Sequence, residues 1–227
     1  MPIGMRVRDL TCLEETTSGR NSRVRARRRN WGSDEVALFA AVHDAASGHL
    51  LTVYRHHRGE VDSGDVLTIE QSALAPADST DSIIVTLVGY EIDGRGALGT
   101  LVKDKYDAWV DAVSDADWGL SVENDRVDAA VGVLLVPPFA KRVLHDDVIL
   151  LDRFEVAVPM FTAPAAPAEQ RYAPSDTPEG LSITAAWDQV GPRGAGGGVT
   201  RMETTRSCRA RGEDSTYVVR LEFMIGT

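Results

Sequence analysis

A chain of 227 residues with 43% hydrophobic and 26% charged residues carries ample material for a core, which excludes bulk disorder. Its formal net charge of −10 argues against a general nucleic-acid binder. No stretch approaches the roughly 20 apolar residues needed to span a bilayer, and the first nine residues lack the apolar centre of a secretory signal, so a cytoplasmic location is expected.

Asp9 to Glu15 reads as the first strand, with Leu10 and Cys12 on one face and Thr11 and Leu13 on the other. Cys12 fits a small core hydrophobe. With Cys208 it makes a pair too sparse for a disulfide framework, although a bridge between the two stays open. Residues 16–31 form a long polar loop in which Arg20, Arg23, Arg25, Arg27, Arg28 and Arg29 put six positive charges into ten residues. Arginine outnumbers lysine 21 to 3 along the chain, the usage of a GC-rich, bacterial genome. The loop runs through Gly32-Ser33-Asp34-Glu35 into an unbroken apolar run, Val36 to Val42. Such a run predicts a strand buried on both faces, and periodicity alone leaves a short buried helix open. After the turn cluster Asp44 to Gly48, His49 to Arg55 returns as the second arm of a hairpin. His56 to Asp65 reads as a polar turn, Val66 to Ile69 as a short strand, and Ser82 to Ile92 as the most apolar strand of the chain.

The period then changes. Leu98, Leu101, Val102, Tyr106, Trp109, Val110 and Val113 fall on one stripe at 100° per residue, with Asp104, Asp107, Asp111 and Asp115 opposite. Asp125 to Val136 repeats the helical spacing until Pro137-Pro138, though its β-branched content leaves a strand open. Val148 to Val158 is strand-like and broken at Asp152-Arg153. The Pro/Ala-rich stretch 162–180 reads as a surface linker. Leu181 to Val190 and Thr216 to Ile225 look like the two arms of a terminal hairpin. Gly191 to Val199 is a glycine-rich tip followed by a strand, and so no phosphate loop. Seven or eight strands around one helical block predict a mainly β protein with a single domain over residues 1–227. The expected architecture is an antiparallel β-sandwich whose amphipathic helical insertion, about residues 98–136, packs on a sheet face.

Three acidic clusters stand at the ends of predicted strands: Asp34 with Glu35, Glu91 with Asp93, and Asp146 with Asp147. Neighbouring strands would bring these carboxylates to one edge, where a hard cation such as calcium takes about six to eight oxygen ligands. Solvated loop acids are the simpler alternative. The same residues carry a resemblance. Gly32-Ser33-Asp34-Glu35-Val36 resembles the strand entry of the calcium- and lipid-binding C-two domain, the module named from protein kinase C. Ile84 to Asp93 is similar to that family's second acidic strand end, and Asp146-Asp147-Val148-Ile149 to its following acidic segment. The resemblance implies a calcium ion held by these loops and bridging to anionic lipid. The sequence departs from the pattern where Glu91 stands in place of an aspartate and where no glycine follows Ile149.

The arginine loop has three readings: forked donors for phosphate groups, a dock for the acidic helix face, or a solvated segment. In the first, Arg25, Arg27, Arg28 and Arg29 would contact an anionic surface. Adjacent His56 and His57 point to opposite faces of a strand and make a poor zinc pair. No serine sits in a nucleophile-elbow glycine pattern and no enzyme motif is visible. The sequence thus points to a non-enzymatic binding module, assisted by calcium, for an anionic surface or a protein partner. The alternative is a structural subunit of a larger assembly or oligomer.

Overall fold

In a computed structural model of the protein, the described residues are 3–14, 34–69, 81–91, 107, 110, 111, 114, 147–161, 169–171, 181–190, 200–210 and 215–225. They form ten strands: β1 (Ile3–Glu14), β2 (Asp34–Asp44), β3 (Leu50–Val61), β4 (Val66–Thr68), β5 (Ser82–Glu91), β6 (Asp147–Ala157), β7 (Glu169–Arg171), β8 (Leu181–Val190), β9 (Thr200–Ala210) and β10 (Ser215–Ile225). A 3-10 turn, Val158–Phe161, follows β6. The strands make a six-stranded sheet, β4-β1-β10-β9-β8-β7, and a four-stranded sheet, β3-β2-β5-β6. Every pairing is antiparallel. No helix among the described residues is long and apolar enough to cross a membrane.

The two sheets contribute to one hydrophobic core. Alternation sends Met5, Val7, Leu10 and Cys12 of β1 and Val219, Leu221 and Phe223 of β10 inward, and all are buried. Phe154 of β6 meets Phe223 of β10 and Trp187 of β8 edge-on, at ring-centroid distances of 6.2 and 5.9 Å. These contacts join the sheets through aromatic pairs of favourable geometry. In the middle of the four-stranded sheet, every residue from Val36 to Val42 and from Ile83 to Tyr90 is buried. β2 and β5 are therefore covered on both faces, as the unbroken apolar runs require. Val110 packs against the same core, and the Ser114 backbone N–H donates to the Val110 carbonyl at 3.0 Å. Apart from Asp107, Val110, Asp111 and Ser114, the expected helical block lies outside the described residues.

Several boundaries differ from the sequence reading. β3 continues through His56-His57-Arg58, which had the composition of a turn, and the turn proper is Asp62 to Asp65. As an outer strand β3 tolerates polar side chains where an inner one does not. β6 runs unbroken through Asp152 and Arg153, both buried. Asp152 faces Arg206 across the core, and Arg153 points to the other face, its Nη1 3.3 Å from the Thr86 hydroxyl. β8 and β10 are not the arms of one hairpin, because β9 lies between them and pairs with both.

Cys12 and Cys208 are both buried and are not joined in a disulfide. Cys12 lies opposite Tyr217, and Tyr217 opposite Cys208, so a whole strand separates the two cysteines. Two interstrand spacings come to about 9.5 Å, beyond the roughly 7 Å that a disulfide can bridge. A maleimide is expected to label neither thiol in the folded protein and both after denaturation.

Candidate functional site

The site is built by strand register. Val36, the residue after Asp34-Glu35, lies opposite Glu91 at the end of β5, and Glu91 lies opposite Asp147 at the start of β6. On the other side Asp34 lies opposite Val61 at the end of β3. Three of the acidic clusters expected from sequence thus contribute backbone positions to one end of the four-stranded sheet: Asp34 and Glu35, Glu91, and Asp147. Glu91 is 6% exposed, and Glu35 is half-buried. Asp93, Asp146, Arg25, Arg27, Arg28 and Arg29 lie outside the described residues.

Two irregularities fall at this same end. In β6 the pairing jumps from Gly89–Leu150 to Tyr90–Val148, leaving Ile149 as an extra residue. In β3 the pairing jumps from Asp34–Val61 to Val36–Arg58, so Gly59 and Glu60 together face Glu35. A Cβ placed on Gly59 would lie 4.0 Å from both Cγ and Oε1 of Glu35, which locates the Glu35 side chain beside this bulge. Glu60 has φ of 59°, in the left-handed region that a glutamate enters at a cost. Bulges bend a strand and re-aim its side chains, and they gather beside functional sites. Backbone strain has the same tendency. Glu60→Gly is expected to raise stability by about 1 kcal/mol, measured by urea denaturation.

Sequence reasoning missed the acids of β3 and its turn. Beyond Val61, Asp62 and Asp65 close a tight turn: Asp62 N–H donates to Asp65 Oδ2 at 3.1 Å, and Asp65 N–H to the Asp62 carbonyl at 3.0 Å. Gly64, at φ of 95°, donates its N–H to the Cys12 carbonyl at 2.8 Å and ties the turn to β1. The Asp-Ser-Gly-Asp signature was visible as a turn, but only the strand order shows that it opens beside Asp34.

Acids elsewhere have structural duties. Asp44 Oδ1 accepts from the backbone N–H groups of Ala46 and Ser47 at 3.1 and 2.7 Å, closing the turn into β3. Asp9 forms a two-pronged pair with Arg220, whose Nε lies 3.1 and 2.9 Å from the two carboxylate oxygens. On β3, burial first and then the charges of His57 and Arg58 hold the His56 pKa below its ordinary value. Among the described residues no three of His, Cys, Asp and Glu are grouped to hold a metal ion. An open cleft of about 410 Å³ on the outer face of the six-stranded sheet is lined by Leu13, Glu14, Thr184, Ser207, Arg209 and Thr216. What the register brings together is a set of acidic backbone positions at one end of the four-stranded sheet. No protein-family model matches this chain and no curated protein matches it, so the reading of the site stands on these residues alone.

Proposed function

We propose that the chain is a β-sandwich binding module, carrying an inserted helical block, that takes calcium at the acidic end of its four-stranded sheet and engages an anionic surface. One observation carries this reading: the continuous register Val36–Glu91–Asp147, which assigns three acidic segments to adjacent strand ends. Asp34, Glu35, Glu91, Asp93, Asp146 and Asp147 are the candidate ligands, with Glu60 beside them. Calcium accepts irregular oxygen cages, whereas magnesium demands a tight octahedron. Gathered carboxylates repel one another without an ion, so an ion bound only by the folded chain stabilises it. The gain is about 2.7 kcal/mol at a hundredfold excess over Kd. Millimolar calcium is expected to raise the melting temperature by several degrees, and magnesium by less. Asp34→Asn with Asp147→Asn removes the response. A flat calorimetric titration of the wild-type protein with calcium overturns the reading.

Arg25, Arg27, Arg28 and Arg29 supply the contact to the anionic surface in this proposal. Replacing all four by serine should leave the melt unaltered and weaken binding to anionic vesicles in a salt-sensitive way. A second reading, a subunit of a larger assembly, draws support from β3, which pairs only with β2 among the described residues. Its exposed Arg55, His57 and Arg58 and its bulge guard that edge against indiscriminate strand pairing. A defined oligomer by light scattering, together with indifference to calcium, would favour this second reading.

A further inference from the structure

The outer face of the six-stranded sheet holds a second cluster of charges, remote in kind from the acidic end. Leu221 and Phe223 of β10 point into the core, so Glu222 between them points outward, yet its side chain is only 3% exposed. Three arginines cover it. Arg6 and Arg8 of β1 place Nη1 at 3.6 and 3.4 Å from Glu222 Oε2, and Arg201 of β9 places Nη1 at 3.5 Å from Oε1. Their side chains stay 33, 44 and 51% exposed, so the guanidinium groups rim the carboxylate and still reach water.

The geometry of these contacts is unlike that of a closed ion pair. Each arginine uses a single terminal nitrogen, at distances longer than the roughly 2.7–2.9 Å of a charge-assisted hydrogen bond. The Asp9–Arg220 pair on the same face is the contrast, since its two-pronged fork satisfies both partners. A bulge between Val7 and Asp9 keeps Arg8 and Asp9 on this outer face, which makes room for both arrangements. One carboxylate among three guanidinium groups leaves two positive charges uncompensated. Glu203, directly opposite Glu222 on β9, lowers that excess without removing it, and Asp188 stands opposite Glu203 on β8, one strand farther away. Guanidinium groups gathered at one point, with donors to spare, are the chemistry that binds tetrahedral oxoanions.

We propose that Arg6, Arg8 and Arg201, gathered over the buried Glu222, form a binding site for a phosphate group. Phosphate supplies the missing negative charge, and its several oxygens can accept from donors approaching from β1 and β9 on either side of β10. The group can belong to a soluble phosphate ester or to a lipid headgroup. The site is independent of calcium and of the arginine loop.

The test uses the full chain and inorganic phosphate, titrated against chloride at constant ionic strength and read by thermal melting and by NMR of arginine Nε–H signals. Phosphate should raise the melting temperature by a few degrees over chloride. The Arg8→Gln/Arg201→Gln variant, altered at two part-exposed side chains, should fold and lose that increment. Glu222→Gln removes the competing carboxylate and should lower the phosphate concentration at half-effect several-fold. If the arginines serve only to neutralise Glu222, phosphate and chloride act alike on the wild type, or the double variant keeps the full phosphate increment. Either result overturns the proposal. A response lost when Arg25, Arg27, Arg28 and Arg29 are replaced by serine also overturns it, since the loop would then be the site. Co-sedimentation with phosphatidic acid vesicles separates the two sources. Binding lost in the double variant identifies a headgroup, and a phosphate response without vesicle binding identifies a soluble ester.

Discussion

Arg206→Met is expected to destabilise the protein by about 3–5 kcal/mol, because it strands a buried charge. Asp152 of β6 and Arg206 of β9 face each other across the core at 3.4 Å, with side chains 0% and 3% exposed. The Arg206 guanidinium also stacks on Phe154 and Trp187, 3.6 and 5.0 Å from their ring centroids. Methionine keeps much of the packing but removes the counter-charge and the cation–π contact. The double variant Asp152→Leu/Arg206→Met should recover most of the loss, since an apolar pair of similar volume replaces a desolvated ion pair at little net cost. Urea denaturation of the four proteins in this cycle measures the coupling, and an additive cycle would show that the pair does not interact energetically. The pair also sets a pH dependence. Burial pushes the Asp152 carboxyl up to about 6, against the pull of Arg206. A carboxyl whose folded pKa lies above its unfolded value binds protons more readily when folded. Its stabilising contribution is complete below the unfolded value near 3.8 and is lost as pH rises toward 6. Relative to Asp152→Asn, the wild type should therefore gain stability between pH 6 and pH 4, by on the order of 2–3 kcal/mol.

Gly89→Val is expected to be the most damaging substitution at the acidic end. A Cβ at this position would lie 2.9 Å from the Leu150 Cβ, 3.3 Å from Ile149 Cγ1 and 3.5 Å from the Leu150 backbone nitrogen. Overpacking of this kind costs about 1–3 kcal/mol for small additions, so Gly89→Ala should fall in that range and Gly89→Val beyond it. The nearest obstructing atom, Leu150 Cβ, is fixed by the main chain, so Leu150→Ala, which retains it, should give no relief. A melting temperature unchanged in Gly89→Ala would show that the bulge at Ile149 can relax. If it cannot, the pairing of Glu91 with Asp147 shifts, and the calcium response should fall together with stability.

The strands that were legible in the sequence are those whose side-chain pattern has a single cause. Val36 to Val42 and Ile83 to Tyr90 are apolar on both faces because both faces are covered, and the strands expected there agree closely with β2 and β5. The alternation from Thr216 to Ile225 reproduces β10 because one face of that strand packs on the core and the other points outward. β1 was read only from Asp9, whereas it begins at Ile3, because the bulge between Val7 and Asp9 breaks the period. Ile3, Met5 and Val7 precede the break and Leu10 and Cys12 follow it, all pointing inward. β9 was expected only as a strand following the glycine-rich tip, without bounds, because two of its four inward residues, Met202, Thr204, Arg206 and Cys208, are polar. Thr204 enters the core by donating its hydroxyl to the Ala186 carbonyl at 2.8 Å, and Arg206 by pairing with Asp152. Such partners are set by tertiary structure, and no local pattern announces them. The acidic end shows the same division. Asp34, Glu35, Glu91 and Asp147 were visible as strand-end acids, but their shared position follows from the order β3-β2-β5-β6. The arginines over Glu222 depend likewise on β1, β10 and β9 being neighbours.

The pairing of β1 with β10 also bears on how the chain is made. Asp9 and Arg220, joined across these two strands, are 211 residues apart, so a ribosome adding about 5–20 residues per second needs on the order of 10–40 s between them. β2, β3 and β5 can pair soon after they emerge, while among the described residues β1 has only the short β4 beside it until β10 is synthesised. For that interval Ile3, Met5, Val7 and Leu10 lie on an unsheltered strand edge, a template for pairing with the wrong chain. The nascent polypeptide is therefore expected to depend on holding chaperones. In refolding from urea, the six-stranded sheet should close late and slowly, because its central contacts are the most distant in sequence.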